Sequence, residues 1–395
     1  MGVDKEAIDF SNTEIAFSSK TDKELKKAAW LFNMMNKPWL VDSMSSVGLV
    51  ALKMRLPFVN KIIKETIFSQ FVGGRTLLES QPSITKLYES NIQSILDYGA
   101  EAKTSEKDYN FTMNENLRAI EFACTNASVP VISTKITGLA RFGLLEGIQN
   151  GEALTRETRI EYRNVLKRVD AICHLALERK VGIFFDAEES WIQDTIDHLV
   201  RLMMKRYNKK EVIVYNTFQM YRHDRLQYLI DSFSLAQSEG YLLGAKLVRG
   251  AYMEKERDRA AEMDYPSPIQ KNKDATDNAY NTGIRFCIDN YEQIGFCNAT
   301  HNQESVRLMA DLIEERNIPK SHPHLNFCQL YGMSDNLSFN LANAGYNVAK
   351  YLPYGQIKEV VPYLIRRAKE NTSVSGDMSR EYSFIKSELD RRKLG

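Results

Sequence analysis

Apolar residues in this chain follow two patterns that succeed one another along its length. From about Asp22 to Leu87 they recur at helical spacing, in Ala28–Met35 and Val47–Ile67, with turns at Lys37-Pro38 and Gly73-Gly74. Beyond that stretch, short apolar or β-branched runs take over. Eight follow: Ser94–Tyr98, Val129–Ile136, Val181–Phe185, Val212–Phe218, Gly244–Val248, Gly295–Ala299, Leu325–Cys328 and Val348–Leu352. Amphipathic, helix-length segments separate them, among them Glu152–Arg179, Ser190–Tyr207, Asp224–Glu239, Asp274–Tyr291, Gln303–Arg316 and Asp335–Ala344. Strand and helix in repeated alternation predict parallel βαβ units with right-handed crossovers. Eight such units predict an α/β fold, a closed (β/α)8 TIM-type barrel, because eight strands close a sheet around a filled interior. The competing fold is an open, doubly wound sheet, but the Gly-x-Gly-x-x-Gly loop that usually marks it is absent. The expected organisation is a helical N-terminal region over 1–90, a barrel over 91–375 and a C-terminal helix over 376–395, where Ser379–Leu394 is amphipathic.

Composition narrows the class. With 43% hydrophobic and 26% charged residues, the chain has the balance of a globular enzyme with a substantial core. Its 52 basic and 51 acidic side chains leave no footprint for nucleic acid. The five cysteines include no Cys-x-x-Cys pair, which predicts neither a disulfide framework nor structural zinc and suits a reducing compartment. His322 and His324 flank Pro323 without an evident third ligand, so no metal is expected. Met1–Lys20 has no apolar core and carries Asp4, Glu6, Asp9 and Glu14, unlike a signal or transit peptide. Ser46–Val59, interrupted by Lys53 and Arg55, is too short to span a bilayer. The expectation is a cytoplasmic protein, at most peripheral on a membrane.

In a barrel, reactive groups sit at the C-terminal ends of strands and in the loops beyond. That rule selects Asp97, Lys135, Asp186, Asn216 with Gln219, Arg249 with Tyr252, Thr300-His301-Asn302, Gln329 and Tyr351. A solvated strand end explains any one of them; their repetition argues for an active site. The last unit carries Tyr351-Leu-Pro-Tyr-Gly355 and then a helix in which Tyr363, Arg366, Arg367 and Glu370 share one broad face. Pro362 suits a first helical turn, so that face is expected to begin near the barrel mouth. Two adjacent guanidiniums can clamp one carboxylate through several charge-assisted bonds, although a surface Arg-Arg pair is the plainer reading.

These motifs carry a resemblance. Lys246-Leu-Val-Arg-Gly-Ala-Tyr252, Tyr351-Leu-Pro-Tyr-Gly355 and Tyr363-Leu-Ile-Arg-Arg-Ala-Lys-Glu-Asn371 together resemble the proline dehydrogenase family. Asp97-Tyr-Gly-Ala-Glu101, Phe185-Asp-Ala-Glu188 and Ala299-Thr-His-Asn302 fall in that family's order, so the resemblance covers roughly Ser94 to Val374. It is nearer to stand-alone and mitochondrial-type enzymes than to the barrel of the large bifunctional bacterial proteins.

The resemblance implies noncovalent FAD at the top of the barrel. It also implies hydride transfer from L-proline to flavin N5, giving Δ1-pyrroline-5-carboxylate, with electrons passed to a membrane quinone. Arg366 and Arg367 would bind the substrate carboxylate with Lys135, and Glu101 would be the gate carboxylate that pairs with Arg366. Asp186 would organise these cations, and Tyr252 and Tyr351 would wall the ring, with Tyr363 and Leu330 also in the substrate site. Lys246, Asp186 and Lys135 form the implied catalytic group. Arg249, Gly250 and Ala251 match the flavin-binding turn and Thr300 and His301 the phosphate and adenosine contacts, with Gln329 and Glu370 further contacts.

Two positions depart from many bacterial relatives: Lys246 replaces an arginine and Asn216 a glutamine, which Gln219 is placed to replace. Strand alternation puts Lys246 and Arg249 on opposite faces, so both reach flavin only if the strand ends or bulges near Gly250. Hydroxyproline-selective relatives tend to carry a smaller residue at the Tyr351 position, so tyrosine favours unsubstituted proline. The rival readings are a Schiff-base aldolase using Lys135 and a non-catalytic carboxylate-binding barrel. Contact with the membrane is expected to be transient, with Val47–Lys64 as a candidate surface.

Overall fold

A computed structural model describes residues 8–37, 61, 63–99, 104–373 and 377–394, of which 366–373 and 377–378 are described by backbone alone. The strands form where the apolar runs lie: β1 (Ile92–Tyr98), β2 (Val131–Thr134), β3 (Gly182–Phe185), β4 (Val214–Gln219), β5 (Leu243–Val248), β6 (Ile294–Ala299), β7 (Leu325–Leu330) and β8 (Val348–Tyr354). They close in sequence order into one barrel. Strands in a parallel barrel are covered on both faces, so β3 is buried at every position and reads as an unbroken apolar run.

Helices precede, join and follow the strands. They are α1 (Thr13–Ala16), α2 (Asp22–Met35), α3 (Leu77–Tyr88), α4 (Glu106–Cys124), α5 (Phe142–Gln149), α6 (Arg156–Arg179) and α7 (Ser190–Tyr207). After them come α8 (Arg225–Glu239), α9 (Met253–Glu262), α10 (Lys273–Asp289), α11 (Gln303–Glu315), α12 (Asp335–Asn343), α13 (Ile357–Ser373) and α14 (Asp377–Arg391). Their starts follow the capping chemistry of the sequence. Thr21 and Glu24 form a reciprocal capping box on α2, and Asn302 caps α11 by accepting from the Ser305 amide. α13 starts earlier than its proline suggests. Gly355, at φ 149°, ends β8, and Glu359 accepts the Gln356 amide at 3.2 Å, so the helix begins at Ile357 and Pro362 lies inside it.

By compactness the chain falls into two units, Ile95–Phe327 and a second unit joining the residues up to Ser94 with those from Cys328 onward. In the first, strand register sets the interior rows. Asp97, Ser133, Phe184 and Tyr215 are successive partners, and Thr217, Lys246 and Cys297 form a row nearer the C-terminal end. Phe184 and Tyr215 meet edge to face at 5.0 Å. Two registered glycines, Gly244 and Gly295, make room for the tyrosine. A Cβ on Gly244 would lie 2.2 Å from the Val214 carbonyl oxygen, and one on Gly295 would lie 3.0 Å from the Tyr215 hydroxyl.

In the second unit, Leu25, Ala28, Leu31, Phe32 and Met35 from α2 bury themselves with Phe68, Phe71, Met333, Val360, Leu364 and Ile385. Beside this apolar cluster lies a buried charge group. Lys350, fully buried on β8, donates to Asp335 at 2.9 Å and to the Met333 carbonyl, and Lys20 reaches the other Asp335 oxygen at 3.1 Å. The two cations hold the Asp335 carboxyl down to about 2 against the burial that opposes them.

Gly244→Ala is expected to lower stability by about 1–3 kcal/mol or more, because its methyl meets backbone. Gly283→Ala, whose Cβ would face the movable Leu247 side chain at 3.0 Å, is expected to cost less. Denaturant melts of the two variants check the order.

Candidate active site

The C-terminal end of the strands in Ile95–Phe327 gathers titratable groups around two adjacent centres. At the first, Lys246 on β5 donates from Nζ to Asp186 Oδ1 at 2.6 Å, and Ser133 Oγ donates to the same oxygen at 3.0 Å. Asp186 stands one residue beyond β3, held there by its amide bond to the Thr134 carbonyl at 2.9 Å. The Lys246 ammonium also lies 5.3 Å above the Phe184 ring. Both side chains are largely removed from water, 6% and 14% exposed, so each charge depends on the other.

Next to the pair is Glu188. Its carboxylate accepts from the Thr137 amide at 3.0 Å and from the Thr137 hydroxyl, and burial pushes its carboxyl up to about 7, against the pull of nearby Lys135. Lys135 leaves β2 just before a short 3-10 turn, Ile136–Gly138. The loop that carries Asp186 and Glu188 is fixed from behind as well. Gln219 donates to the Glu188 carbonyl at 2.7 Å, and the Glu188 amide donates to Gln193 at 2.7 Å.

At the second centre, Arg249 follows the end of β5 at Val248 and is anchored by three elements. Its guanidinium donates to Asp277 at 2.7 Å, to Thr300 at 2.7 Å and to Ser305 at 3.0 Å, and stacks 4.4 Å over Tyr280. Thr300 Oγ1 also accepts the Asn302 amide at 3.1 Å, which places His301 between two fixed neighbours. Gly250 has φ 137°, and a Cβ there would come within 2.4 Å of the Tyr221 ring. β5 therefore ends before Arg249, so Lys246 and Arg249 are freed from strict alternation. Ala251 and Tyr252, both half-buried, complete the turn into α9.

Not every expected residue joins these centres. Asn216 points away from the interior row: its amide donates to Asp197 on α7 at 2.8 Å, where Arg225 and Gln193 also converge. Its neighbours Thr217 and Gln219 take the other face, so of the two amides only Gln219 reaches the Glu188 loop.

In the other unit, Gln329 accepts from Ser338 of α12 at 2.8 Å, which turns it to the helix layer. Leu330 packs against the α2 cluster, and Tyr363 is part of that apolar core. Tyr363 is thus a buried aromatic of this core. Tyr351 is buried on β8 and lies on the face opposite Lys350, which is turned to α12. Arg366, Arg367 and Glu370 fall on α13, but their side chains, like all of Glu101, lie outside the described residues. Of Val47–Lys64 only Lys61, Ile63 and Lys64 are described. Glu188 and Ser133 were missed as site residues. Glu188 ends the Phe185-Asp-Ala-Glu188 motif, but only its buried partners reveal it.

Among the described residues there is no group of three or more His, Cys, Asp or Glu that could hold a metal, and no helix long and apolar enough to cross a membrane. The fold and rim together define a (β/α)8 barrel with a recessed amine–carboxylate pair and a cationic turn at its C-terminal end, the place where such barrels bind ligands.

The family model described as proline dehydrogenase matches residues 80–380, and the chain belongs to the proline dehydrogenase family. It is 32% identical over 378 residues to mitochondrial proline dehydrogenase 1 of Dictyostelium discoideum, covering 85% of this chain and 66% of that one. It is 30% identical over 425 residues to hydroxyproline dehydrogenase of Xenopus laevis, covering 98% and 90%. Among solved structures, proline utilization A from Bdellovibrio bacteriovorus, inactivated by N-propargylglycine, superposes with a TM-score of 0.72 at 22% identity. That match covers 95% of this chain and 40% of the other. The chain therefore spans about two thirds of the length of the Dictyostelium relative.

The Glu188 proton carries a pH signature. The folded protein holds it up to about 7, whereas the unfolded chain releases it near 4.5, so this group's stability contribution falls as pH rises through that window and then levels off. Glu188→Gln removes the fall. Its stability relative to the wild type is expected to rise by roughly 2–3 kcal/mol between pH 4.5 and pH 8, read from urea melts at each pH.

Proposed function

We propose that this protein oxidises L-proline to Δ1-pyrroline-5-carboxylate with FAD and passes the electrons to a quinone. In this reading it acts in the cytoplasm with transient contact at the membrane that holds the acceptor. The observation that carries the reading is the buried Lys246–Asp186 pair at the barrel rim, in a chain of the proline dehydrogenase family. The donor set fits a phosphate-bearing flavin: an ammonium (Lys246), a guanidinium (Arg249), a hydroxyl (Thr300), an imidazole (His301) and a glycine turn at φ 137°.

FAD, when bound, supplies the hydride acceptor. In the substrate, the ring methylene next to nitrogen would give up a hydride to that acceptor and the nitrogen a proton to solvent, forming the C=N bond of the product. Lys246 is the donor assigned to the flavin ring, and Asp186 holds it in place and keeps its charge compensated. Arg249, Gly250 and Ala251 are assigned to the flavin turn and Thr300 and His301 to its phosphate and adenosine end. Gln219, which holds the Glu188 loop through its carbonyl at 2.7 Å, is assigned to the flavin side together with Asn216 behind it. Lys135 is assigned to the substrate carboxylate with Arg366 and Arg367, Glu101 to the gate, Tyr252 and Tyr351 to the walls around the ring, and Glu370 to the cofactor. For Arg366, Arg367, Glu101 and Glu370, sequence resemblance is the support.

The purified protein is expected to be yellow, and anaerobic L-proline should bleach the visible flavin band. Lys246→Met should slow that bleaching roughly 10²- to 10³-fold with FAD still bound. Retained colour without bleaching in the wild type would support the non-catalytic barrel instead, and a colourless protein the aldolase.

The Xenopus match supports a second reading, oxidation of hydroxyproline on the same barrel. Tyr351, buried on β8, leaves less room for a ring hydroxyl than a smaller residue would. The kcat/KM for L-proline is expected to exceed that for trans-4-hydroxy-L-proline, with the ratio falling at least about tenfold in Tyr351→Ser. Equal values in the wild type would favour the second reading.

A further inference from the structure

Glu256 is an unusual place for a charge. It lies in the first turn of α9, is fully buried, and sits in a helix whose other charged residues are mostly exposed. Burying a carboxylate is costly unless its oxygens are satisfied. Here both are: Oε1 accepts the Ser190 amide at 2.7 Å and Oε2 the Ser190 hydroxyl at 2.5 Å. Ser190 is the first residue of α7, and Glu189 before it makes no side-chain cap bond. The carboxylate of α9 thus caps α7 from another part of the chain, at the end where the helix dipole favours negative charge.

The contacts around it run the same way. Lys255 pairs with Glu189, and Arg259 donates to Glu146 of α5 at 2.5 Å while its guanidinium lies 4.4 Å over the Trp191 ring. These two side chains are 58% and 30% exposed, so Glu256 is the dry member of the clamp. Just upstream, the turn is fixed at Arg249 by Asp277, Thr300 and Ser305, and Tyr221 packs beneath Gly250. Tyr252 is the last residue before α9. Its backbone is therefore held between two anchors, Arg249 behind and Glu256 ahead. Glu256 also joins it to the loop Asp186–Glu189, which ends at Ser190.

We propose that Glu256 is a positioning residue for substrate: by fastening α9 to the start of α7 it fixes Tyr252 relative to Asp186, and so sets the fit of the substrate ring. This rests on the reading of the rim as the proline site. A residue acting only on stability would lower the melting temperature and leave ligand affinity unchanged. A positioning residue changes affinity and KM more than kcat.

The test uses the full-length, FAD-loaded protein and a ring carboxylate that cannot be oxidised, tetrahydrofuran-2-carboxylate, with its Kd measured by calorimetry. Glu256→Ala is expected to raise that Kd and the KM for L-proline about tenfold, with kcat changed less than about twofold. Glu256→Gln keeps an acceptor for the amide and a partner for the hydroxyl, so it should stay within about twofold of wild type. Ser190→Ala, which removes only the hydroxyl, should fall between them, and it decides the matter if Glu256→Ala does not fold. Wild-type affinity in both Glu256→Ala and Ser190→Ala overturns the proposal. A wild-type flavin that L-proline does not bleach overturns the assigned function itself, a result visible before any variant is made.

Discussion

A strand in a closed barrel can offer only every second side chain to the interior, and this geometric rule governs what the rim can do. The other side chains face the surrounding helices, however polar they are. Lys246 and Thr217 fall in one interior row, whereas Asn216 and Gln329 turn outward and are satisfied by Asp197 and Ser338. Lys350 follows the same rule and spends its charge on Asp335, leaving the opposite face of β8 to Tyr351. Chemistry at the rim therefore depends on where each strand stops. β5 stops at Val248, and the glycine turn after it lets Arg249 face Asp277 and Thr300 instead of continuing the alternation.

Electrostatics at the rim are arranged in layers. The Lys246 ammonium is paired directly with Asp186, and Lys135 lies near a Glu188 whose burial resists ionisation. Behind them Asp197 collects Arg225, Asn216 and Gln193, and Gln193 in turn holds the Glu188 amide. The network gives a loop of few residues the rigidity of the helices it touches.

Much of the architecture was legible in the sequence because parallel strands buried on both faces leave continuous apolar runs, and all eight runs became strands. Helix limits could be equally plain, with α7 read to both of its ends, Ser190–Tyr207. Side-chain direction was harder. The strand ends named Asn216 and Gln329 correctly as polar, but their facing depends on a register that only pairing defines. Tyr363 shared a helix face with two arginines in the sequence, yet α13 begins at Ile357 and places that tyrosine in an apolar cluster. Glu256 gave no local signal, and Glu188 only its place in the Phe185–Glu188 motif, because their partners, Ser190 and Thr137, are distant in the chain.

The apolar face of α2 packs against Met333, Val360, Leu364 and Ile385, residues synthesised long after it. A ribosome adds about 5–20 residues per second, so the roughly 300 residues between them leave this face covered only in part, by Phe68 and Phe71, for about 15–60 s. For that interval Leu25, Phe32 and Met35 form a greasy stripe on a nascent chain, available to chaperones or to a neighbouring polypeptide. Production of the protein is thus exposed to aggregation at its first helix, and slower translation or scarce chaperones would lower the yield before any barrel exists to be stable.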